Sequence, residues 1–261
     1  MAVSSDTDTS ATQESAVGIG PSLPQERQPD PQLIRWGGGA GLGGVLLFCC
    51  TVVVVGALGL PDASDVETLT DFTDIESGRI AEHLLYLGAL MLFALHVFVL
   101  HRLLATAHQA AALFGTVMAA FGLVIMAASS MLHVSTAPLA DLYTAPDTTP
   151  EDLRAIEYAW HGTQSVFDTM LTTGALLVPI GIIFFGVAMW RAPEFGPRLA
   201  AVTIGLGVVG VVGATVETID TSTEFVAASV LAIVVFHLIT GWRTLKVGQT
   251  MNTDLTDHET G

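Results

Sequence analysis

Long apolar stretches alternate with short polar ones along most of this chain. Six of them carry no Asp, Glu, Lys or Arg: Trp36–Leu60, His83–His101, Gln109–Leu132, Thr169–Trp190, Leu199–Val216 and Phe225–Trp242. A helix crosses a bilayer in roughly 17–25 mostly apolar residues, so each stretch is long enough. The pattern predicts an all-α fold, a polytopic membrane bundle of six transmembrane helices spanning residues 32–248. Residues 1–31 are rich in Ser, Thr, Asp, Gln and Pro and lack apolar periodicity, as expected of a disordered acidic cytoplasmic tail. They have no basic segment leading into a short apolar core, so they do not form a signal peptide. Residues 249–261 read as a second short acidic cytoplasmic tail.

The polar connections orient the bundle. With the N-terminus inside, Arg27, Arg35, Arg102, Arg191, Arg198, Arg243 and Lys246 lie on the cytoplasmic side, and Arg79 and Arg154 outside. Basic residues concentrate on the inner side of membrane proteins, which predicts N-in/C-in and a cell-membrane location. The inner turns 102-RLLATAH-108 and 191-RAPEFGPR-198 are tight. The outer connections, 61–79 and 134–149, are longer and acidic. At the end of the second, 148-TTPEDL-153 places Thr149 as N-cap, Pro150 at the first helical position and acids in the first turn. That helix starts outside the hydrocarbon and either runs on or breaks near Gly162.

Polar side chains gather at the outer helix ends. Glu157, His161, Gln164 and Asp168 step by four, three and four residues, one stripe of a helix that Thr172 continues. A carboxylate at the mouth of a spanning helix is costly against lipid, so the stripe is expected to face inward. Glu82 and His83, then Ser129, Ser130 and His133, then Glu217 and Asp220 end on the same side. His83, His133, His161 and Asp168 form the candidate outer cluster. Imidazole and carboxylate suit divalent metals, but no HExxH spacing is present. An interfacial hydrogen-bond network is the simpler reading. His96 and His237 form a second pair. They lie sixteen residues after Ile80 and fifteen after Ser222, roughly 22–24 Å below the outer helix starts. Equal depth is what a bis-histidine b-haem requires; separate hydrogen bonds to neighbouring helices are the alternative.

Composition adds habitat and excludes some chemistry. There are 25 acidic and 9 basic residues, a formal net charge of −16, and Lys246 is the only lysine. This acidic, lysine-poor balance is that of a haloarchaeal proteome, and it argues against a nucleic-acid partner. Cys49 and Cys50 are adjacent on one helix and point about 100° apart, so they read as small buried hydrophobes. Glycines crowd 37-GGGAGLGG-44 and the fifth helix at Gly205, Gly207, Gly210 and Gly213, where small residues let helices approach closely. They serve either internal packing or a homo-oligomer seam. With no strand before them and no GK[ST] after, they do not form a phosphate loop.

The segments 100-LHRLLATAHQAAALFGTVMAAFGLVI-125 and 174-GALLVPIGIIFFGVAMWRAPEFGPRLAAVTIGLGVVGVVG-213 resemble the six-helix membrane family known as domain of unknown function 4386. The shared features are the turn with Arg102, the FFG at Phe184–Gly186 and the Pro197–Leu199 opening of helix five. The resemblance runs from Trp36 to about Lys246 and implies six helices in a membrane, with no activity or site residues to carry over. Ser129 and His133 also form the SxxxH of ceramidase-type intramembrane hydrolases, but the C-terminal HxxxH of those enzymes is missing. The expected role is non-enzymatic: binding, scaffolding or small-solute passage near the outer cluster, with no cofactor. The alternatives are a metal-dependent membrane enzyme using that cluster and a haem-bearing redox subunit using His96 and His237.

Overall fold

A computed structural model describes residues 30–61, 69–220 and 225–260. Its helices are α1 (Pro31–Leu58), α2 (Leu69–Val134), α3 (Ala137–Thr144), α4 (Pro150–Met189), α5 (Gly196–Ile219) and α6 (Val226–Thr260). Five of them, all but α3, are long and apolar enough to cross a membrane. Most of the expected N-terminal tail lies outside the described residues. Its last part opens α1, where the Asp30 side chain caps the helix by accepting from the Gln32 N–H at 2.9 Å. Gly59, at φ 63°, closes α1 in the left-handed conformation that glycine adopts without strain. The segment expected as a second tail is helical through Thr260.

The longest helix is two arms. His108 has φ −158° and ψ 83°, outside helical values, and its Nδ1 accepts from the Ala111 N–H at 3.4 Å. Extended backbone with a side chain accepting from the third residue on is the geometry of an N-cap, so His108 starts a new helix. His83 and Ser130 are 47 residues apart yet meet at 2.9 Å. On one straight helix they would stand roughly 70 Å apart. The chain therefore doubles back at His108 into antiparallel arms.

Around this hairpin the helices close a ring. The arms of α2 pack on α1 and α4, α4 on α5, α5 on α6, and α6 returns to α1. Glycine makes the α1 contacts close. An added Cβ would lie 2.8 Å from His96 Nδ1 at Gly41 and 2.6 Å from the Phe93 ring at Gly44, while Gly38 abuts Leu245 and Gly241 of α6. The glycine-rich run thus packs on two neighbours inside the bundle. Leu104, Leu123, Ile182, Phe185 and Phe236 fill the centre. Phe121, Val124, Leu231 and Leu238 point outward, where lipid would cover them.

Pro179 interrupts α4 without breaking it. A proline leaves the carbonyl four residues earlier without its N–H. That carbonyl is Ala175, and the Ser229 hydroxyl of α6 donates to it at 2.5 Å. Gly210 of α5 makes room for the proline ring, since an added Cβ there would lie 2.6 Å from it. One sequence feature thus ties three helices together.

Two connections differ from expectation. The 61–79 segment is not a loop throughout, because α2 begins at Leu69. Leu69 and Phe72 are buried and Ile75 packs beside them, so part of this acidic stretch is an amphipathic helix. Asp62, Asp65 and Glu67 lie outside the described residues. The second outer connection contains α3, whose Ala140 joins Leu69, Phe72 and Trp160 in a small separate core. The predicted start of α4 is found as a capping box between Thr149 and Asp152. The helix then runs unbroken through Gly162, about 60 Å for its 40 residues. Its first turns, the start of α2 and α3 together form a layer beyond the spanning length.

Candidate functional site

The antiparallel hairpin explains how His83 and His133 come together. His83 and His133 are each 25 residues from His108 in the chain, roughly 37 Å along either arm. They therefore arrive at one level, at the same end of the two arms. Their rings lie 4.8 Å apart and both are buried. His83 Nδ1 shares a hydrogen bond of 2.9 Å with the Ser130 hydroxyl, whose oxygen also lies 3.4 Å from the His83 carbonyl.

Aromatic rings wall the pair. Phe167 of α4 meets His133 edge-on at 4.8 Å, and Phe72 stacks on it at 5.6 Å. Trp160 stands 6.3 Å from His133 and packs against Phe72. Arg79, one helical turn before His83, is 1% exposed. It bonds Glu82 through Nη1 at 2.7 Å and the Pro61 carbonyl through Nη2. Arg79 Nε, His83 Nε2, both nitrogens of His133 and Trp160 Nε1 are buried with no hydrogen-bond partner among the described residues. A buried polar group without a partner costs about 1–3 kcal/mol, so five in one cluster mark a place suited to polar atoms of a ligand or of water, with Arg79 Nε and Trp160 Nε1 as fixed donors.

The expected stripe on α4 is only half turned inward. Gln164 is buried and Asp168 half-buried, but Glu157 and His161 are exposed. The inward row is Trp160, Gln164, Phe167 and Gly174. Trp160 takes the facing position because its large ring completes the small core with Phe72, which turns His161 out. Glu157 instead accepts from the Tyr143 hydroxyl of α3 at 3.0 Å. His161 is thus not brought to His83 and His133. Among the described residues, no three His, Cys, Asp or Glu side chains form a group able to hold a metal ion.

Arg79 carries no signal in the sequence that marks it as part of the cluster. It counted as a loop charge, yet it lies four residues before His83 and seven after Phe72, on the face that Leu69 and Phe72 bury. Trp160 was hidden in the same way, by its neighbour His161.

The second histidine pair also meets. His96 and His237 are fully buried, with Nδ1 to Nδ1 at 2.8 Å, and Phe93 stacks on His237 at 3.9 Å. Two nitrogens ligating one ion at about 2.0 Å each from opposite sides would stand about 4 Å apart. Here the two rings are joined by a direct bond of 2.8 Å, with Gly41 closing on His96. The matched depth of the two residues allows this interhelical hydrogen bond. Cys49 is exposed and Cys50 half-buried, both as free thiols, so Cys49 is not the buried hydrophobe expected.

These features define an all-helical membrane protein with a polar, aromatic-walled cluster at one end. Residues 41–245 match the family described as domain of unknown function (DUF4386), and the chain belongs to that family. No curated protein and no solved structure matches it.

Proposed function

We propose that this chain is a six-span protein of the cell membrane, N-in/C-in, that binds a small acceptor-bearing solute at its outer face. The fold-back at His108 supports six spans, because each arm of α2 is long enough to cross. The concentration of seven of the nine basic residues at one side supports the orientation. The acidic excess supports a high-salt, haloarchaeal habitat.

The observation that carries the binding reading is the set of partnerless buried nitrogens on Arg79, His83, His133 and Trp160. Arg79 Nε and Trp160 Nε1 can only donate, neutral His133 supplies one donor and one acceptor, and His83 offers only Nε2 because its Nδ1 is held by Ser130. Carboxylates fit such a set, and Phe72, Phe167 and Trp160 would pack on an apolar body. Because Glu82 already offsets the Arg79 charge, donor geometry more than net charge would select the solute.

Thermal melts of the purified protein with acetate, benzoate, phosphate and sulfate test this. At least one should raise Tm in a saturable way, by an amount equivalent to about 2.7 kcal/mol at a hundred times Kd. His133→Leu and Arg79→Gln should abolish that shift. No saturable shift with any probe, or one of the same size in both variants, would refute the reading.

A further inference from the structure

At the opposite end from the histidine cluster, a groove of about 720 Å³ opens between α1 and the first arm of α2. Its lining includes Trp36, Gly39, Leu92, Leu95 and Phe98, and Arg102 closes one end. The volume is in the range of small-ligand sites, roughly 300–1,000 Å³. The packing of the two helices explains the shape. Gly37 sits directly under Val99, which draws α1 close, while nothing lies within 4 Å of where a Cβ on Gly39 would be. Trp36 and Phe98 stand out on either side, 72% and 54% exposed, so the groove is a slot opening away from the bundle. From Leu92 to Arg102 it runs roughly 15 Å, about half of a 30 Å hydrocarbon core.

We propose that this slot binds one anionic membrane lipid, with a hydrocarbon chain over Gly39 between Trp36 and Phe98 and the phosphate on Arg102. Apolar walls over one leaflet's depth suit a lipid chain and offer nothing to a free ion. Arg102 is exposed, and among the described residues no carboxylate forms an ion pair with it. A guanidinium presents paired donors that match phosphate oxygens. Trp36 lies at the same end, where tryptophans anchor at headgroup level. Charge at the end and oil along the length select an anionic lipid over a zwitterionic one. The proposal does not depend on the outer solute site.

Native mass spectrometry of the full chain from detergent, after adding phosphatidylglycerol or phosphatidylcholine with the same chains, tests it. Phosphatidylglycerol should remain as one bound copy at least tenfold more than phosphatidylcholine. Arg102→Gln should remove that preference. Gly39→Leu adds bulk to the slot's lining at a position where a Cβ meets nothing within 4 Å, so it should keep the melting temperature in detergent and lose the bound copy. Equal retention of both lipids would mean unspecific surrounding lipid only and would overturn the proposal. So would a phosphatidylglycerol preference that survives Gly39→Leu, which would place the charge effect outside the slot. Inorganic phosphate matching phosphatidylglycerol in the shift of melting temperature would reassign Arg102 to a free anion. The comparison of the two lipids on the unaltered protein decides even if a variant fails to fold.

Discussion

Replacing His96 by Leu would leave the His237 ring buried with neither nitrogen paired to any described residue, because Nδ1 loses its bond and Nε2 has none. His237→Leu has the mirror effect on His96. A partnerless buried polar group costs about 1–3 kcal/mol. Interhelical hydrogen bonds in membranes measure lower, about 0.6 and at most about 1.7 kcal/mol, because the unfolded helices find other partners. Each single substitution should therefore cost about 1–2 kcal/mol. The double variant removes both polar groups and puts two apolar side chains of similar size beside Phe93 and Phe236. It should cost less than the sum of the singles, with a coupling of about 1 kcal/mol. Reversible unfolding of the four proteins in mixed detergent measures this cycle. Additive effects, or singles within about 0.5 kcal/mol of the parent, would refute the direct bond. A neutral pair joined by one N–H···N bond also needs opposite tautomers, so ¹⁵N spectra should show one ring protonated at Nδ1 and the other at Nε2.

Three further outcomes follow from the same structure. Ser229→Ala should cost about 1 kcal/mol in the parent but under about 0.5 kcal/mol beside Pro179→Ala, which returns an N–H to the Ala175 carbonyl; equal costs in both backgrounds would disprove the compensation. The melting temperature should rise between 0.1 and 1 M salt, as the screening length falls from about 10 to about 3 Å over a chain with 25 acidic and 9 basic residues; a flat or falling curve would count against the salt adaptation. In a background lacking Cys49 and Cys50, a cysteine at Thr144 should label from outside intact cells and one at Glu194 should not; the reverse pattern would invert the topology.

Hydropathy made the spanning helices legible, and the Thr149–Asp152 cap was readable because its chemistry is local. The start of α2 was not, because outside the bilayer the signal is one amphipathic face. There Leu69, Phe72 and Ile75 recur among acids that look like loop. The same change of environment hid the register of α4. A polar stripe through Glu157 and His161 looks inward if lipid surrounds it, but those turns stand above the spanning length, where Trp160 gains more by burial. His96 and His237 could be matched in depth from helix rise alone. Whether they touched depended on α1 approaching through Gly41, a tertiary fact with no pairwise signature in one sequence. Arg79 and His83 were four residues apart in plain view, but only the fold-back at His108 brings His133 to them.

The most direct test of the outer site is ¹⁵N spectroscopy of the histidine side chains during titration with whichever anion raises the melting temperature. The ring resonances of His83 and His133 should move together along one saturation curve, while those of His96, His237 and exposed His161 stay in place. Saturable binding that leaves His83 and His133 unmoved would contradict it.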